Sequence, residues 1–97
     1  ESPSLRLIEI IEERGGHADY HDPFVAEIPP TREYQALKGR KSVALTPDAI
    51  AGYDAVLVAT DHDRVDYAAL AKSATLIVDT RNVFNRLGLS ADHVIKA

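Results

Sequence analysis

The sequence predicts an α/β fold wound around a parallel sheet, and three observations carry that prediction. Residues 54–60 and 75–79 are apolar runs bounded by polar residues, the signature of strands buried on both faces. A helical pattern of Val65, Ala68, Ala69, Leu70 and Ala71 lies between them. On either side of this pair, helix and strand patterns continue to alternate along the chain, the layout of a wound sheet.

The elements follow in order. Ser2 before Pro3 reads as an N-cap with proline at the first helical position, so a helix starts there. Leu5, Ile8 and Ile11, widened by Leu7 and Ile10, form its apolar face, opposite Arg6, Glu9 and Glu13. Arg14-Gly15-Gly16 ends it, glycine taking the left-handed cap position. Residues 17–22 alternate, Ala18 and Tyr20 against Asp19 and His21, and read as a short strand closed by Pro23. Residues 24–41 hold Pro29-Pro30 and Gly39 and read as a long irregular connection, with one helical turn near residues 33–37. Thr46-Pro47 starts another short helix that runs to about Gly52. After the first buried strand a helix is expected over residues 63–73. Beyond the second strand, residues 80–90 read as turn-rich, and residues 93–96 as a last strand. A parallel α/β unit usually opens with a buried strand and this chain opens with a helix, so a fragment whose preceding strand lies upstream is expected.

Size and charge narrow the function classes. A chain of 97 residues is expected to bury roughly 64% of its surface, enough for one core and not for two. With 45% hydrophobic and 27% charged residues the composition is that of a globular domain. Eleven Lys plus Arg against 15 Asp plus Glu give a net charge of -4, which argues against a nucleic-acid surface. No apolar stretch approaches the ~20 residues of a membrane helix. The absence of cysteine excludes disulfides and a thiol nucleophile within the chain. Residues 1–4 have neither the basic region nor the apolar segment of a secretory signal, and cytoplasmic residence is the expectation.

In open parallel sheets ligands gather beyond the carboxyl ends of the strands. Three polar clusters sit there: His21-Asp22-Pro23, Thr60-Asp61-His62-Asp63 and Asp79-Thr80-Arg81-Asn82. The third is the most informative, because an arginine at a strand end presents a fork of donors suited to phosphate. An Arg81 paired with a nearby aspartate is the structural alternative, and Asn82 suits a turn as readily as a ligand. Asp61 or Asp63 is explained by capping the next helix, and His62, His21 and Asp22 by turns. A metal-dependent hydrolase built on Asp61, His62 and His21 matches no ligand spacing. The basic loop residues Arg32, Lys38, Arg40 and Lys41 could meet an anion or a subunit, or be a solvated loop. No glycine-rich dinucleotide fingerprint, phosphate-loop lysine motif or nucleophile elbow occurs.

Four strings together carry a resemblance: Glu1-Ser2-Pro3-Ser4-Leu5, Asp19-Tyr20-His21-Asp22-Pro23, the run from Tyr53 to His62, and Ile77-Val78-Asp79-Thr80-Arg81-Asn82. They resemble, collinearly and as far as about Asn82, the C-terminal UDP-binding domain of the UDP-glucose/GDP-mannose dehydrogenase family. Within that family the likeness is greatest to the UDP-N-acetylglucosamine 6-dehydrogenase branch, which shares the proline-containing loop and Asp66-Tyr67.

The resemblance implies a single Rossmann-like domain over residues 1–97 that lacks its first, central strand, between those expected at residues 17–22 and 54–60. A neighbouring copy or an upstream segment is expected to fill that gap. It also implies a parent enzyme that oxidises the C6 alcohol of a UDP-sugar to a carboxylate with NAD, the cofactor held mainly by an N-terminal domain. Catalytic cysteine, lysine and acid/base residues lie in that other part, so the implied catalytic set here is empty and the fragment inert. Arg81 is the implied contact to the UDP-sugar substrate, with Asn82 and Asp79 shaping its loop. The implied partners are the substrate, the N-terminal NAD-binding domain and further copies in a homo-oligomer, with no nucleic acid, membrane or metal. The alternative is a non-catalytic Rossmann-like regulatory or assembly module, marked by an Arg81 locked in an ion pair and no cleft at the strand ends.

Overall fold

The computed structural model describes residues 3–30, 37–62 and 64–97. The chain divides into two compact units, residues 1–44 and 45–97. Where length predicts one core, the buried apolar side chains form two clusters, one in each unit.

The first unit is built on helix α1, Pro3–Glu13. The expected cap, Ser2, lies outside the described residues. At the other end Gly15 has φ 89, and the Gly16 N–H returns 2.9 Å to the Ile11 carbonyl, the left-handed glycine stop that the sequence requires. Ile8 faces Ala18, Ile28 and Leu37 in this unit's core, with Leu5 and Tyr20 at its edge. Of the expected alternation in residues 17–22 only the first step appears, Ala18 buried and Asp19 exposed, since Tyr20 and His21 are both half-buried, and these residues form no strand. Among the described residues no ladder holds them. Instead the Val43 N–H donates to the Tyr20 carbonyl (2.8 Å), and the Asp22 N–H donates to the Ser42 hydroxyl (3.0 Å). The described parts of the connection after residue 24 pair with each other. Glu27 and Lys41 form an antiparallel bridge, flanked by hydrogen bonds from Ile28 N to Arg40 O and from Ser42 N to Ala26 O. The turn expected near residues 33–37 falls almost wholly outside the described residues.

The second unit carries the sheet. Helix α2, Pro47–Ala51, is capped by the Thr46 side chain, which accepts the Ala49 N–H at 3.2 Å. Strand β1, Val56–Val58, leads to helix α3, Tyr67–Ser73, then strand β2, Ile77–Asp79, helix α4, Val83–Arg86, and strand β3, Val94–Lys96. The strands are parallel in the order β1-β2-β3, with Val58 beside Asp79 and Asp79 beside Lys96. Three parallel strands with flanking helices make this a small Rossmann-like α/β unit.

The core lies on one sheet face. Val58 and Ile77 meet Ile50 of α2, Tyr67 and Leu70 of α3, and Val83 and Phe84 of α4. The opposite face corrects the expectation of strands covered on both sides: Leu57 is 39% and Ile95 49% exposed, in one row with Val78. All three helices of the unit contribute to the same cluster, so strand sequences rich enough for two covered faces cover one.

Candidate functional site

Parallel order brings the carboxyl ends of β1 and β2 side by side, and with them two of the three polar clusters. The Thr80 hydroxyl donates to the Val58 carbonyl at 2.6 Å, tying the end of one strand to the other. The third cluster, His21-Asp22-Pro23, belongs to the first unit. There the His21 ring Nδ1 donates to the Val43 carbonyl (2.7 Å), and Asp22 Oδ1 accepts the Phe24 N–H (2.8 Å), a turn of its own.

Asp79 organises the turn after β2. Its side chain is only 2% exposed, and it is the one buried charged or polar residue among those described. Oδ1 accepts the Arg81 N–H at 3.0 Å and Oδ2 the Phe84 N–H at 2.9 Å. Burial alone would raise its pKa, but backbone N–H donors from Phe84, Arg81, Val83 and Asn82 outweigh it and hold the carboxyl below its ordinary value. It is therefore an anion at neutral pH, buried and saturated with donors. The turn it holds passes through Asn82, which caps α4 in the left-handed conformation, φ 58 and ψ 31.

Arg81 sits at the apex of this turn. The residue is exposed, and among the described residues its guanidinium makes neither a hydrogen bond nor an ion pair. Two other arginines are engaged in ion pairs. Arg86 binds Asp61 across the two strand ends at 2.5 Å, which raises the guanidinium pKa through that hydrogen bond. In the first unit Arg40 grips Glu12 with both nitrogens, 2.7 and 2.5 Å, and reaches the Ala18 carbonyl at 3.2 Å. That pair removes Arg40 from the basic loop of the sequence reading, and Arg32 lies outside the described residues. A cleft of about 320 Å³ opens beside the strand ends between α3 and α4, lined by Asp61, Val65, Tyr67, Val83, Arg86 and Leu87. The Tyr67 hydroxyl accepts the His62 N–H at 3.0 Å, and burial pushes the phenol pKa up.

Several of these contacts were not legible in the sequence. The cap of α3 is Asp66, whose Oδ1 accepts the Ala69 N–H at 3.0 Å, not Asp61 or Asp63. Asp61 is drawn to Arg86 instead, and Asp63 lies outside the described residues. The Asp66-Tyr67-Ala68-Ala69 string carried the signal, an acidic residue three before the N–H it satisfies. Among the described residues no three histidine or acidic side chains are placed to hold a metal ion.

The residues do not fit a bound dinucleotide. The connections after β1 and β2 contain no glycine, and Asp79 takes the N–H groups with which a pyrophosphate would be cradled.

The fold defines a Rossmann-like α/β unit, with Arg81 exposed beyond the carboxyl end of β2 and unengaged among the described residues. Residues 1–86 match the model of the UDP-glucose/GDP-mannose dehydrogenase family, UDP binding domain, and the chain belongs to that family. No curated protein and no solved structure matches it. No helix among the described residues is long and apolar enough to cross a membrane.

Proposed function

We propose that this chain is the nucleotide-sugar-binding domain of an NAD-dependent UDP-sugar 6-dehydrogenase, acting on UDP-N-acetylglucosamine or a related UDP-hexose. The observation that carries the reading is the unengaged Arg81 guanidinium at the carboxyl edge of a parallel sheet in a member of this family. A planar fork of donors there pairs with the oxygens of a diphosphate, and Asp79 fixes the backbone from which it projects. Asp79 itself is spent on the turn and does not touch ligand. Asn82 completes the loop. Residues 1–97 act together as one UDP-binding domain, with the hydride chemistry and NAD on another part of the enzyme and further copies in a cytoplasmic homo-oligomer. Alone, the chain turns over no substrate.

The alternative of a non-binding assembly module would be favoured by an Arg81 locked in an ion pair with no open cleft at the strand ends. Arg81 is exposed and unpaired among the described residues, which favours the binding domain. A thermal-shift titration tests the choice. Ligand that binds only the folded chain raises its midpoint as concentration passes the dissociation constant. UDP is expected to raise the midpoint of the wild type and to leave that of Arg81→Ala unmoved; equal responses of the two proteins refute the assignment.

A further inference from the structure

One hydrogen-bonding group in the turn after β2 has no use in the fold. Asn82 is the one non-glycine residue with positive φ among those described. Its side chain makes no capping bond to α4, and its Oδ1 is buried without a hydrogen-bond partner. Both features lower stability. Glycine would adopt φ 58 without a crowded Cβ, and a covered carbonyl oxygen with no donor has lost its hydration for nothing in return. The turn does not need the amide, because Asp79 already takes the N–H groups of Arg81 and Phe84. A buried polar group that the fold neither uses nor gains from, next to an unengaged cation, points outward to function.

Resting on the reading of this turn as the nucleotide site, the geometry points to Asn82 as a specificity residue whose amide oxygen accepts a hydrogen bond from a hydroxyl of the bound nucleotide sugar. An amide oxygen accepts and a phosphate oxygen accepts, so the two do not pair. Arg81, one residue earlier, is the group suited to phosphate. The donors nearest a diphosphate on either side are the hydroxyls of the ribose and of the hexose, and the imide N–H of the base lies beyond the ribose. Because Oδ1 is covered in the unliganded turn, binding turns the amide toward the ligand, and its lost hydration is recovered in the complex.

Asn82→Gly separates ligand from fold, since glycine keeps the left-handed turn and removes only the amide. The variant is expected to melt at or above the wild-type temperature. In calorimetric titrations its affinity falls about tenfold, the worth of one neutral hydrogen bond. An equal loss for UDP and UDP-glucose assigns the hydroxyl to the ribose, and a loss confined to UDP-glucose assigns it to the hexose. Unchanged affinity for both ligands, or a melting temperature below wild type, overturns the inference. A wild-type chain that binds neither ligand overturns instead the reading on which it rests.

Discussion

Asp79→Asn replaces a buried carboxylate with an isostere and tests how the turn beneath Arg81 is held. The carboxylate takes two backbone N–H groups, at 3.0 and 2.9 Å, from a side chain 2% exposed. Hydrogen bonds to a charged acceptor are each worth about 1.5–3 kcal/mol. The amide keeps one acceptor and turns its NH2 group toward the other N–H, so one bond is lost outright and a donor is left buried. The cost is about 3 kcal/mol. With a urea dependence of about 1–3 kcal/mol per molar for small proteins, the unfolding midpoint drops by about 1–3 M.

The pH dependence has a definite sign. The folded pKa of Asp79 is depressed, so its contribution is complete above the unfolded value near 3.8 and disappears as pH falls from there through the folded value. Urea titrations of wild type and variant followed by circular dichroism, at neutral pH and in acid, should therefore converge as the pH drops. A variant within about 0.5 kcal/mol of wild type at neutral pH, the range of unremarkable surface changes, refutes the reasoning.

Phe84→Ala empties the centre of the second unit's core, where the ring is 0% exposed and stands edge-on to Tyr67 with centroids 5.5 Å apart. About 3–5 kcal/mol is lost by urea unfolding, most of the stability of a small domain. Glu12→Gln breaks the grip on Arg40, and because both side chains remain about a third exposed the loss is held to roughly 0.5–1 kcal/mol and shrinks in high salt. The Arg40 hydrogen bond keeps the Glu12 carboxyl below its ordinary value of 4.5, so this loss too fades in acid, as paired unfolding curves across that range would record.

Local signals with one physical meaning survived folding. Thr46 before Pro47 caps a helix because nothing else satisfies that N–H, and Gly15 ends α1 because only glycine enters the left-handed region freely. Signals that depend on neighbours did not. Residues 17–22 alternate like a strand, yet a strand exists only by pairing, and their hydrogen bonds go to residues 42–43 instead. The apolar runs of β1 and β2 predict two covered faces, whereas all three helices of that unit contribute to one cluster and Leu57 stays exposed. Helix α4, four residues within the segment read as turns, is too short for periodicity to mark. The place of Arg81 just beyond a strand's carboxyl end was legible from the apolar run before it. The burial of Asp79, the choice of Asp66 over Asp61 as a cap, and the Asp61–Arg86 pair depend on distances that no spacing encodes.

The central claim is that a nucleotide diphosphate binds at the carboxyl ends of β1 and β2 through Arg81. The most direct measurement is a nuclear magnetic resonance titration of the isotope-labelled chain with UDP, run beside Arg81→Ala. Amide shifts concentrated at Thr80, Arg81 and Asn82, saturating with UDP and abolished in the variant, are expected. Shifts that persist unchanged in Arg81→Ala, or a wild-type spectrum that UDP leaves untouched, contradict it.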